Sequence, residues 1–151
     1  MIQLEIHYVN FEHPSYKYRT IKTVIAQTGI MGYNLTTEFF RLYPDGTVEI
    51  FENYAWDGCS GVPDLKSTML ASLVHDIGYQ CLREELLLDW SKYDGCIALY
   101  YEDWKALREQ IDIIFWFIMK NDGAWWITYT LYYKGVQVLG AKYAKPERLK
   151  K

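Results

Sequence analysis

A mixed α+β fold is predicted from three features of the sequence. Side-chain polarity alternates with period two in the first third of the chain, the period lengthens to that of a helix from Asp64, and Pro44-Asp45-Gly46 marks a tight turn between two short apolar runs. The chain has 151 residues, half of them hydrophobic, enough to bury a substantial core. No internal repeat or low-complexity linker interrupts it. A single domain, 1–151, is therefore expected: a β-rich part at 1–55, a helical core at 56–141 and a basic tail at 142–151.

Taken in order, residues 2–9 (IQLEIHYV) alternate as a half-buried strand does, and Tyr16 to Gln27 is rich in the Tyr, Thr, Ile and Val that suit strands. In Phe39 to Tyr54 the segments FRLY and TVEIF flank the Pro-Asp-Gly turn. There Pro pre-sets φ, Asp caps its own backbone and Gly accepts positive φ. The first third thus reads as an antiparallel β-meander. From Asp64, with Asp64 or Ser67 as N-cap, Leu70, Leu73, Val74, Ile77 and Cys81 form one apolar helical stripe. A break follows over 84–93. A second helix is predicted from Ile97 to Asn121, stopped by Asn121-Asp122-Gly123. Residues 125–139 suit a third helix but also carry strand propensity, and the tail from Lys142 is expected to fray.

Composition excludes some functions. A net charge of −3 without basic-aromatic interleaving gives no reason to expect nucleic acid as a partner. The most apolar run, IIFWFIM at 113–119, is too short to span a bilayer, and the N-terminus lacks the pattern of a signal peptide. Cys59, Cys81 and Cys96 form no CxxC pair and are odd in number, which predicts a protein made soluble in a reducing cytoplasm. The 14 Tyr and 6 Trp suit either a Tyr-rich core and surface or a membrane- or ligand-facing surface.

The chemistry concentrates in two stretches and one later residue. Ser67 to Arg83 carries His75 and Asp76, about 100° apart on a helix, with Tyr79 one turn beyond His75 on its face. A lone His-Asp pair is more often structural than catalytic. Asp112 stands in QIDIIFWFIMK, where large apolar neighbours predict a helix buried all round. A carboxylate there must be neutral, paired or hydrogen-bonded, and an imidazole N–H or tyrosine hydroxyls are suitable donors. A buried Asp that holds a His in one tautomer is the arrangement behind a histidine general base. The alternative is that Asp112 braces the core through Tyr79 or an arginine. In the preceding loop, WDGCSGVPD, Asp57 either closes an Asx turn or joins Asp76 around a hard cation such as calcium, with backbone carbonyls completing the set. Zinc is not suggested, since the cysteines are scattered and His7 and His13 lack ligand spacing.

As an ordered set, DGCSGVPD, a short spacer, HDIGY, and then Asp112, Phe115 and Met119 as D-x-x-F-x-x-x-M resemble the prokaryotic phospholipase A2 pattern. The ending WWITYTLYYKGVQVLG is similar to that family's W-x-x-Y-x-x-V-x-x-x-G segment. The same residues, read as YxWDGxSxxPD, HDxxY and DxxF behind a β-rich N-terminal part, resemble still more closely a phage-associated family of unknown function. The resemblance covers Trp56 to Gly140, with an insertion expected between Arg83 and Arg108. It implies a phospholipase A2-like helical core of about three helices. His75 would be the general base, Asp112 would orient it and Tyr79 would support both. Asp57, Asp76 and the Gly58 carbonyl would hold calcium for hydrolysis of a phospholipid acyl ester. The chain also departs from the pattern: Ser72 stands where a half-cystine is expected, so the family disulfide to Cys59 cannot form, and a meander replaces the family's N-terminal helices. A non-catalytic phage virion or host-interaction protein is therefore the competing expectation. Because cytosolic calcium is scarce, a calcium-dependent enzyme would act after release at lysis or from a virion.

Overall fold

A computed structural model describes residues 6–59 and 62–150. The chain is α+β, with strands first and helices after, and it divides into two compact units, Met1–Val74 and His75–Lys151. The boundary falls inside a helix rather than at a linker.

In the first unit the described strands form two antiparallel sheets. Strands β1 (Tyr8–Asn10), β2 (Tyr18–Thr20) and β7 (Ala55–Trp56) are ordered β1-β2-β7. Strands β3 (Val24–Gln27), β4 (Leu35–Thr36), β5 (Phe40–Leu42) and β6 (Thr47–Ile50) are ordered β3-β6-β5-β4. The strand expected at 2–9 overlaps β1 only at its end, and residues 1–5 lie outside the described part.

The register of the second sheet follows from its polarity pattern. Val24 and Phe40 both pair with Ile50, and Ala26 and Leu42 both pair with Val48. All six are buried, on one face of the sheet, while Ile25 between them is exposed. The β5–β6 turn is built as its residues require. Asp45 Oδ1 accepts from the Thr47 N–H at 2.9 Å, and Gly46 takes φ +84°.

The single strand expected over Tyr16–Gln27 is instead β2 and β3, which enter different sheets. The corner is held by Thr20. Its buried hydroxyl donates to the Phe51 carbonyl at 3.0 Å and accepts from the Tyr54 N–H at 3.0 Å, so a side chain does what a continued ladder would have done.

Helix α1 (Met69–Arg83) buries the predicted stripe Leu70, Leu73, Val74, Ile77 and Cys81. A 3₁₀ turn at Lys66–Thr68 precedes it, and its N-cap is Leu65, whose N–H donates to the Thr68 hydroxyl at 3.2 Å, rather than Asp64 or Ser67. Ser72 Oγ accepts from Trp56 Nε1 at 3.1 Å and donates to the Met69 carbonyl at 2.8 Å. Ser72 thus anchors a buried tryptophan by hydrogen bonding.

In the second unit, α2 (Ile97–Asn121) ends as predicted, with Gly123 at φ +81° reversing the chain into α3 (Trp126–Leu139). The prediction that α2 is buried all round is corrected. Ile111, Asp112, Phe115, Ile118 and Met119 are buried, but Ile113 and Phe117 are more than half exposed. Residues 126–139 form a helix because this hairpin brings α3 against α2, where the Trp116 and Tyr129 rings meet edge-on. The tail is not frayed. It forms α4 (Ala141–Ala144) and a 3₁₀ turn, and Arg148 bonds Glu85 at 2.7 Å while stacking on Trp90. Among the described residues no helix is long and apolar enough to cross a membrane.

Candidate active site

The second unit gathers His75, Tyr79, Arg108, Asp112 and Phe115. His75 and Tyr79 are four apart on α1, so both project from one face. Arg108, Asp112 and Phe115 recur at four and three on α2 and do the same. What lets the two faces meet is Gly78. A Cβ at that position would come within 2.7 Å of Ile111, so only glycine allows the helices this approach.

At the centre, Asp112 is 1% exposed and His75 8%. His75 Nε2 lies 2.8 Å from Asp112 Oδ1, and the Tyr79 hydroxyl donates to the same oxygen at 2.7 Å. A carboxylate oxygen only accepts, so Nε2 carries the proton and the imidazole lone pair is on Nδ1. The ring is held between Tyr79, 4.0 Å away by centroids, and Phe115, 4.8 Å away.

Arg108 completes the set. Its guanidinium is 3.7 Å from Asp112 Oδ2 and 3.4 Å from the Tyr79 hydroxyl, and it donates to the Val136 and Gln137 carbonyls at 2.7 and 2.8 Å. The sequence alone does not single out Arg108 as the arginine beside Asp112, although its i,i+4 spacing is the available signal.

Burial depresses the His75 pKa below its ordinary value; the Asp112 hydrogen bond and charge oppose that shift, and the Arg108 charge adds to it. The imidazole is thereby kept neutral near pH 7, the form in which it can accept a proton. Tyr79 is pushed up by burial and by Asp112, so it stays a hydroxyl donor. Gly140 closes the site, because a Cβ there would collide with the Tyr79 hydroxyl.

In the first unit, the loop after β7 is organised by Asp64. Its Oδ1 accepts from the Cys59 N–H at 2.7 Å, its Oδ2 accepts from the Tyr18 hydroxyl at 2.8 Å, and Lys17 is 3.6 Å away. Gly58 is buried at φ +70°, and any Cβ on it would run into the Asp64 carboxylate. Tyr18 is pushed up to about 12, first by burial and then by Asp64. Asp57 is half-buried beside Gly58, while Ser60 and Gly61 lie outside the described residues. Asp76, half-buried on α1, belongs to the second unit.

The oxygen donors of Asp57, Gly58 and Asp76 match a hard cation in kind. Among the described residues no three His, Cys, Asp or Glu side chains are grouped to hold a metal. Cys59 and Cys81 are buried, and Cys96 is exposed. Comparison of the chain with protein-family models, curated proteins and solved structures finds no match.

Proposed function

We propose that this protein is a hydrolase in which His75 is the general base, acting on the acyl ester of a phospholipid. The observation that carries this reading is the double acceptance at Asp112 Oδ1, from His75 Nε2 and from the Tyr79 hydroxyl. It fixes one tautomer and leaves Nδ1 as the basic nitrogen. Nδ1 would take a proton from water as that water attacks the ester carbonyl carbon. The imidazolium so formed would be stabilised by Asp112 and would return its proton to the departing alkoxide. Calcium, held by Asp57, Asp76 and the Gly58 carbonyl, would supply the positive charge that polarises the carbonyl. The ordered resemblance to prokaryotic phospholipase A2 and to the phage-associated family points the same way, and would make this a phage-type protein active at lysis or from a virion.

A second reading has its own support. Arg108 ties the Asp112 cluster to two carbonyls of α3, as a brace would. In that case the protein is a non-catalytic virion or host-interaction component. The test is fatty-acid release from phospholipid micelles in millimolar calcium, with His75→Gln and Asp112→Asn checked for fold by circular dichroism. A general base predicts a loss of about 10² or more for His75→Gln in a folded protein. It also predicts that Asp112→Asn lowers the His75 pKa seen by NMR further, because the interaction that raised it is gone. Folded variants with unchanged turnover and an unchanged His75 titration would leave only the brace.

A further inference from the structure

Helix α3 faces α2 with one side only. Tyr132 is buried, Tyr129 meets Trp116, and the Val136 carbonyl takes Arg108. The opposite side carries Ile127, Leu131, Lys134 and Val138, spaced four, three and four apart and therefore on one stripe. Leu131 is 60% exposed and Val138 78%. Trp125 and Trp126, at 69% and 59%, stand at the start of the helix, and Tyr143 at 53% lies just past its end. An apolar stripe with aromatic ends, left open to water, is a surface built for contact.

Charge distinguishes among possible occupants. Residues 123–151 carry six Lys or Arg against a single acid, Glu147, in a chain whose net charge is −3. Among the described residues the ion pairs of this segment are Arg148–Glu85 and Lys150–Glu147. Lys134, Lys142 and Lys145 are left as net positive charge along and beyond the stripe. A second copy docked by two-fold symmetry would bring the same net positive charge to the interface rather than an opposite one. A surface that is apolar inside and negative outside matches both features at once. We propose that the α3 stripe, with Trp125, Trp126 and Tyr143, seats on an anionic lipid bilayer surface, lying in the interface without spanning it. The inference stands on α3 alone and goes beyond the hydrolase reading, whichever role His75 has.

The experiment uses the full chain and vesicles of ether-linked phosphatidylcholine, with and without ether-linked phosphatidylserine, so that binding is read without any ester to cleave. Co-sedimentation is expected with the phosphatidylserine vesicles, with a blue shift of tryptophan emission and release by added salt. The double variant Leu131→Asp/Val138→Asp, at exposed positions, should keep its circular dichroism and lose binding by about tenfold or more. Lys134→Gln/Lys142→Gln should weaken binding by roughly fivefold per lysine. Equal binding to neutral vesicles, or binding indifferent to the double aspartate variant, overturns the proposal. So does sedimentation velocity showing self-association that Leu131→Asp/Val138→Asp abolishes while vesicles are ignored, which assigns the stripe to a second copy.

Discussion

Asp112 shows how one buried carboxylate organises its surroundings. At 1% exposure its carboxylate is tolerable because His75 and Tyr79 bond one oxygen and the Arg108 guanidinium stands 3.7 Å from the other. The residue that makes this possible bears no chemistry of its own. Gly78 lets α2 approach α1 until Asp112 reaches His75. Gly78→Ala should therefore cost about 1–3 kcal/mol in urea denaturation, by pushing Ile111 away. It should also loosen the His75–Asp112 bond, seen as exchange broadening of the His75 ring proton. An unchanged midpoint would mean that Ile111 yields and the close approach matters little.

Among the elements, the α2–α3 hairpin is held at one end by Gly123 and at the other by Arg108, which caps two carbonyls near the end of α3. Arg108→Met keeps the apolar stem, removes those bonds and strips Asp112 of its nearest cation. A loss of about 2–4 kcal/mol is expected, with amide hydrogen-exchange protection falling first in α3. If protection falls evenly along the chain instead, Arg108 does not act as the tie between these helices. In the first unit the comparable device is Thr20, whose hydroxyl turns one predicted strand into two and sends them to different sheets.

For the molecule, pH is the external variable that reaches the His75 site, and calcium is the one the proposed chemistry adds. His75 has a depressed pKa in the folded state, whereas in the unfolded chain it titrates near 6.5. Below that value the unfolded state binds the extra proton and the folded state does not. Its contribution to stability is therefore complete above about pH 6.5 and is lost as pH falls toward the folded pKa. Urea midpoints should drop from pH 7 to pH 5, and His75→Gln should flatten that slope; a slope kept intact would point to other groups. If Asp57 and Asp76 share a calcium ion, millimolar calcium should raise the melting temperature, and Asp57→Asn or Asp76→Asn should abolish the rise. No rise in the wild type would remove the cation from the proposed chemistry.

Several features were legible because their causes are local. The Pro44-Asp45-Gly46 hairpin, the apolar stripe of α1, and α2 from Ile97 to Asn121 each follow from neighbours within a few positions, where turn chemistry and periodicity act. Asp112 could be singled out because a carboxylate among Ile, Phe and Trp demands partners. Tertiary structure decided what depends on contacts between distant residues. It decided which side of α2 is buried, whether 126–139 is helix or strand, that the tail is fastened by Arg148 to Glu85, and that Arg108 is the cation beside Asp112. The physical reason is that propensity and periodicity are summed along the chain, while burial and pairing are summed across it.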